Sequence, residues 1–284
     1  LDMPDSELQK LQDDYDRYRE MGSKSPIYRK ANVNITITNA RDTVTYRIPE
    51  VGVRMKGNTS RTDFYNAEEG IYNFIHLRLD FQETFTDETY YGSDRNVWSD
   101  EKKLQQRKDR TFATLEKLEL RWNKNRDSTY LRETYAYEVY RSEGLLAPQC
   151  TLGALTWNST GMGVYTIEEP IDKVFLSKNL PEKDLDGDLY KCGWTYTGAT
   201  FTSQKPIGIE NEDNGEFYVY DLKTNKKTSQ HEAITALIKG LNSGSLTKEK
   251  FAQLVDVDNF LSYAAVSYFL GNPDDLRNNY NNYY

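Results

Sequence analysis

Histidine is nearly absent from this chain: His76 and His231 are the only two in 284 residues. That excludes a His-rich metal cage and an HExxH zinc site, and it leaves little material for a Ser–His or Cys–His nucleophile. Cysteine is as scarce. Cys150 and Cys192 are too few for a disulfide framework. They are read as two separate thiols, one on a strand and one in a loop, with a pairing between them as the alternative. No apolar run approaches the roughly 18 residues that a membrane span requires. The opening LDMPDSELQK has neither the basic nor the apolar region of a secretory leader. The formal charge of -8 argues against the basic face of a nucleic-acid binder. Chemistry here has to rest on carboxylates, amides and cations.

Aromatic residues are abundant. With 22 Tyr and 11 Phe, each burying a large area, a core can be built although only 37% of the residues are hydrophobic. The segment from Asp5 to Met21 reads as a polar helix with Leu8, Leu11, Tyr15 and Tyr18 along one stripe, and the helix is expected to pack on the outside of the domain. VNITIT (33–38) and TVTYRI (43–48) alternate around an NARD turn and predict a hairpin. VGVRMKGNTS (51–60) is a strand entering a Gly-Asn-Thr-Ser turn, and IYNFIHLRLDF (71–81) is a further strand. Residues 92–112 are charged and read as an exposed loop or insertion, followed by the short strand KLELRW (117–122).

A helix is expected to start at a Ser128 cap, with Leu131, Tyr135, Val139 and Tyr140 as its buried stripe and Gly144 as its stop. TLGALTW (151–157) and MGVYTIEE (162–169) predict a second hairpin. Residues 181–215 are loop-rich, and the remainder reads as three helices, of which 257–270 is the most apolar and is expected in the core. Strands come first and helices last, which predicts an α+β chain of two lobes. Residues 1–30 form an N-terminal helix and lead-in, about 31–169 a β-rich lobe, and about 170–284 a helical lobe.

The helix 257–270 runs into GNPDDLRNNYNNYY (271–284). Two readings fit this segment: a solvated Asn-rich turn, or a platform of polar groups on a rigid helix end. Protein kinases place a catalytic Asp five residues before an Asn that binds Mg²⁺, and Asp274 and Asn279 have that spacing, with Asn281 and Asn282 close by. VGVRMKGNTSR puts Arg54, Lys56 and Arg61 around Gly57, where a strand–turn either offers N–H groups and cations to phosphates or points its charges to water. Glu133, early on a helix, either pairs with a strand Lys as in kinases or is an exposed i,i+4 neighbour of Tyr137. TIEEP (166–170) ends a strand in carboxylates, either as a hinge touching a sugar hydroxyl or as a solvated strand end.

Together these segments resemble the CotH kinase family, the atypical protein kinases named after spore-coat protein H. The matching stretches run in family order: VGVRMKGNTSR, IHLRLDF, KLELRWNKNRDSTYLRETYAYEVYRSEGLLAPQ, GMGVYTIEEPIDKVFLSKNL, GDLYK and VDVDNFLSYAAVSYFLGNPDDLRNNYNNYY. They cover most of residues 51–284. The resemblance implies an atypical protein-kinase-like two-lobed fold that binds ATP with Mg²⁺ or Mn²⁺ and phosphorylates Ser in a protein partner. It places Asp274 as the catalytic residue and Asn279 or Asn282 at the metal. It sets Arg54, Lys56, Arg78, Glu133, Glu168 and Lys191 on the nucleotide. It implies a further metal-binding Asp beyond Tyr284, so the C-terminal end of the domain is read as missing. The acidic chain favours a basic Ser-containing substrate. Spore coat, cell surface and secretion all fit, as does any oligomeric state. Two rival readings are a non-catalytic kinase-fold surface or spore-coat protein and, from the Tyr-rich hairpins, a carbohydrate-binding module.

Overall fold

The computed structural model describes residues 1–284 apart from 59, 67, 196, 197 and 203–205. In chain order its elements are α1 (Asp5–Glu20), β1 (Arg29–Thr38), β2 (Thr43–Lys56), β3 (Tyr65–Asn66), β4 (Ile71–Tyr72), β5 (His76–Asp80), α2 (Glu88–Tyr91), α3 (Glu101–Lys108), β6 (Lys117–Trp122) and α4 (Arg132–Ser142). Then follow β7 (Cys150–Trp157), β8 (Thr160–Glu168), α5 (Lys173–Asn179), β9 (Tyr190–Cys192), β10 (Ile207–Gly208), β11 (Tyr220–Leu222), α6 (Glu232–Leu241), α7 (Lys248–Leu254) and α8 (Val257–Phe269). The chain is mixed α+β, and no described helix is long and apolar enough to cross a membrane. It divides into two compact units: 1–134 with 149–170, and 135–148 with 171–284.

The first unit is built on a six-stranded antiparallel sheet of order β1-β2-β5-β6-β8-β7. Side chains alternate across a strand, and the sequence uses that alternation fully. Val51, Val53, Met55, Leu77, Leu79, Leu118 and Leu120 enter one core cluster. Their strand neighbours Arg54, Lys56, Arg78, Glu119 and Arg121 take the opposite face. Helix α1 joins the apolar cluster through Leu8, Leu11 and Tyr15. The helix packs by that apolar stripe, which covers the apolar face of the sheet. The segments expected as strands 43–48 and 51–60 are one strand, β2. The β7–β8 turn is closed by Asn158 and Ser159, both in the left-handed region at φ 42° and 69°.

Three other expectations change. The charged stretch 92–112 contains helix α3, capped by the Asp100 side chain, which accepts the Lys102 and Lys103 N–H groups. The helix is anchored through buried Arg107, which bonds the Glu50 carboxylate at 2.6 Å. Ser128 does not cap α4. Asp127 accepts the Arg132 N–H at 2.8 Å, and the helix begins only at Arg132. Leu131 and Tyr135 of its expected buried stripe are exposed.

The second unit has a small sheet of order β10-β11-β9. Tyr190, Cys192, Tyr220 and Leu222 pack there against Ile234 and Ile238 of α6. Cys150 and Cys192 are both free thiols. Helix α8 buries Val266 and Ser267, while Leu261 is 57% and Phe269 74% exposed, so most of it lies outside the core. Its apolar composition alone does not decide burial. A Leu11→Ala substitution is expected to lower the free energy of unfolding by about 2–5 kcal/mol, the usual range for emptying a core leucine site. Urea denaturation measures this, and a loss below about 1 kcal/mol would show that α1 is not part of the core.

Candidate functional site

The polar face of the large sheet is fixed by cross-strand register. Arg54 lies opposite Arg78, Lys56 opposite His76, and Arg78 opposite Glu119. Glu119 in turn faces Glu168, and Arg121 faces Thr166. Like and unlike charges are thus brought within reach of each other by backbone pairing alone. Lys56 and Arg78 both bind the carboxylate of Glu119, whose side chain is 3% exposed. A buried carboxylate needs such partners, and removing one side of a buried pair typically costs about 3–5 kcal/mol. Arg54 is engaged elsewhere: it donates to the Ser25 carbonyl at 3.0 Å and lies over the Tyr28 ring at 5.3 Å.

A second ion-pair group sits on β6, α4 and β8. Arg121 binds Glu133 at 3.0 Å and Glu168 at 3.1 Å. Glu133 therefore meets a strand cation, but that cation is Arg121 rather than Lys56 or Arg78. One guanidinium serves two carboxylates, and Glu168 Oε2 is buried with no hydrogen-bond partner among the described residues. Burial pushes the Glu133 carboxyl above its ordinary value; Arg121 opposes this and the charge on Glu168 adds to it. The adjacent Glu169 has a structural task, accepting the Gln149 N–H at 2.8 Å.

His76 sits beside these groups with its Nδ1 accepting the Trp122 backbone N–H at 3.1 Å. Burial lowers its pKa to about 3, and the neighbouring charges of Arg121 and Lys56 reinforce the shift. The ring is neutral at neutral pH, so the fixed cations on this face are lysine and arginine. Gly57 ends β2 with φ 103°, and a Cβ there would lie 1.9 Å from Ser60 Oγ. A side chain at this position would collide with the turn that β2 enters. Thr59 of the expected Gly-Asn-Thr-Ser turn lies outside the described residues.

In the second unit, the segment after α8 is organised by its two aspartates in different ways. Asp275 is 1% exposed; it pairs with Arg277 at 3.0 Å and accepts the Arg277 and Asn278 N–H groups. It shapes the loop. Asp274 is half-buried and is ringed by carboxamides. Its Oδ1 accepts from Asn279 at 3.3 Å and Asn281 at 3.1 Å, and its Oδ2 accepts from Asn282. The segment is docked by backbone bonds from Ala199 N–H to the Tyr280 carbonyl (2.7 Å) and from Cys192 N–H to the Tyr283 carbonyl (2.8 Å). Lys191 stands on β9 next to that docking point, opposite Asp221.

The expected site residues fall into two groups. Arg54, Lys56, Arg78, Glu133 and Glu168 belong to the sheet unit, and Asp274, Asn279, Asn282 and Lys191 to the other. Sequence reasoning missed Glu119 and Arg121. Their signal was the i, i+2 alternation of KLELRW, which puts both on the face opposite Leu118 and Leu120. Among the described residues no three His, Cys, Asp or Glu side chains form a metal cage. Asp274 with three amides is nonetheless an oxygen-rich donor set. It suits a hard cation of the Mg²⁺ type, which is held through one or two carboxylates together with substrate phosphates.

A family model for CotH kinase protein matches residues 83–284. The chain belongs to the CotH kinase family. No curated protein matches it. At the family level the chain is a kinase-like protein, and such proteins in general use ATP with a divalent metal and act on a protein substrate. The match takes in β6, α4, β8 and the Asp274 loop, so Arg121, Glu133, Glu168 and Asp274 fall inside it. Arg54, Lys56 and Arg78 precede it.

His76 supplies a direct check on this geometry. Its proton NMR resonances are expected to stay flat from pH 8 down to about 4. Because the folded state binds fewer protons than the unfolded chain between about pH 3 and 6.5, His76 lowers stability as pH falls through that window. His76→Asn, which keeps an acceptor for the Trp122 N–H, should flatten that part of the stability profile. A His76 midpoint near 6.5 would contradict the buried, neutral ring.

Proposed function

We propose that this chain is an ATP- and Mg²⁺- or Mn²⁺-dependent protein kinase of the CotH type that transfers the γ-phosphate to a Ser of a partner protein. In this reading the fold is the two-lobed, atypical protein-kinase arrangement. The sheet unit is the nucleotide lobe, and the unit holding Asp274 is the catalytic-loop lobe. The observation that carries the proposal is Asp274 held by Asn279, Asn281 and Asn282 within the family match. Such a ring of amide donors fixes a carboxylate in one orientation, ready to accept a proton from a hydroxyl.

The roles follow from the chemistry of each group. Asp274 accepts the proton of the substrate Ser hydroxyl. Asn279 and Asn282, which donate to Asp274 through Nδ2, would supply their Oδ1 atoms to the metal. Arg121, paired with Glu133, takes the part of the strand cation that kinases set against the phosphates. Lys56 and Arg78, sharing Glu119, add positive charge to the same sheet face, and Arg54 flanks them. Glu168 offers its Oε2, unpartnered among the described residues, as an acceptor for a ribose or base donor. Lys191, on β9 beside the docked loop, adds a cation to that lobe. When bound, ATP and its metal supply the phosphoryl group and neutralise its charge. The acidic chain suits a basic Ser-containing substrate. A non-catalytic kinase-fold surface or spore-coat protein is the second reading, favoured by Asp274, whose two carboxylate oxygens already accept N–H groups from Asn279, Asn281 and Asn282.

Asp274→Asn is expected to keep the fold, as judged by an unchanged thermal melt, and to reduce phosphotransfer by about 10²–10⁴-fold, the usual share of a general base. Radiolabel transfer from ATP to the protein itself and to Ser-containing basic peptides measures it. Equal labelling by the variant would remove Asp274 from the mechanism.

A further inference from the structure

Apart from the charged face and the Asp274 loop, the sheet unit carries an open cavity of about 350 Å³, a volume within the roughly 300–1,000 Å³ of ligand pockets. Phe74 and Trp122 form one wall, their rings stacked with centroids 5.8 Å apart. Tyr130 and Val164 line it as well, and buried Met162 adds to its apolar surface. Phe74 is 49% and Tyr130 40% exposed, so this aromatic group leaves much of its surface to water.

The polar groups around the cavity are of two kinds. Asn123 and Asp127 are already bonded. Asn123 Oδ1 accepts the Asp127 N–H at 2.9 Å, and Asn123 Nδ2 donates to the Asp127 carbonyl at 2.6 Å. The Asp127 carboxylate accepts the Thr129 N–H and hydroxyl and the Arg132 N–H. These bonds set the loop that carries Arg126 at the cavity edge, with its backbone in the left-handed region at φ 52°. Among the described residues the Arg126 guanidinium has no ion pair. Lys124 adds a second positive charge to the loop, on a chain whose net charge is -8.

We propose that this cavity is a docking site for an aromatic side chain of a partner protein, flanked in its own sequence by carboxylates that pair with Arg126. An aromatic ring gives the largest apolar contact with the Phe74–Trp122 wall, because ring pairs add to simple area burial. An acidic flank matches the basic loop and disfavours basic segments at this place. The site uses none of the groups assigned to phosphotransfer, so it stands or falls independently of that function. It gives a partner a second point of attachment, which raises the local concentration of whatever that partner presents elsewhere.

The test is a titration of the ¹⁵N-labelled chain with a short peptide of core Asp-Phe-Asp, followed by NMR. Shifts are expected at the amides of residues 123–130 and at the Trp122 indole N–H, which has no acceptor among the described residues. Replacing the peptide Phe by Ala, or its Asp residues by Lys, should weaken binding by about tenfold or more. Arg126→Glu and Phe74→Ala in the protein should each do the same, and Arg126→Glu should favour the Lys-flanked peptide. Both substitutions alter exposed side chains. If Phe74→Ala perturbs the spectrum broadly, Arg126→Glu alone decides. No shifts at about millimolar peptide would overturn the proposal, as would binding that neither substitution changes.

Discussion

Glu119 is a carboxylate almost closed to water, and two cations, Arg78 of the adjacent β5 and Lys56 of β2 beyond it, hold it there. The rest of the sheet unit depends on that arrangement. A sheet with one apolar and one charged face is stable only if the charged face satisfies itself, since a buried lone carboxylate is costly. Lys56 and Arg78 neutralise Glu119, and Arg121 links Glu133 to Glu168. A slip of one residue in β6 would turn Glu119 and Arg121 into the apolar cluster and Leu118 and Leu120 out of it, so the charge pairs also protect the register. Structure and candidate chemistry therefore rest on the same side chains.

The strands of the six-stranded sheet were legible in the sequence, because alternation marks both their existence and their two faces, whereas the two- and three-residue strands β9, β10 and β11 are too short to alternate. What alternation cannot reveal is which strand lies beside which. The order β5-β6-β8 is what gives Glu133 its partner on β6, and nothing in VGVRMKGNTSR or IHLRLDF points to it. Glu133 was expected opposite a strand lysine and instead meets Arg121. Helix α3 was illegible for another reason: its contacts run through one arginine and one aspartate cap, and it has no apolar period to detect. Helix α8 shows the reverse case, a strongly apolar pattern that leaves Leu261 and Phe269 in solvent.

In the loop after α8, spacing identified Asp274 and its asparagines, and the structure brings them together. Spacing favours Asp274, because Tyr280 and not an Asn stands five residues after Asp275, but it does not say what each carboxylate touches. The distinction is made by Arg277, which takes Asp275 into an ion pair and leaves Asp274 to the amides. The family match supplies what neither geometry nor spacing could, a kinase relationship spanning residues 83–284. It also shifts weight toward Arg121, which lies inside the matched stretch, and away from cations that precede it.

The central proposal is that the chain binds ATP together with a divalent metal. Calorimetric titration of ATP into the protein, with Mg²⁺ or Mn²⁺ present and again with the metal chelated, tests it most directly. The account predicts saturable binding that depends on the metal and is lost when adenosine replaces ATP. No binding at about millimolar ATP, or binding that is unchanged by chelation and by removal of the phosphates, would contradict it and leave a kinase-shaped protein that binds partners without chemistry.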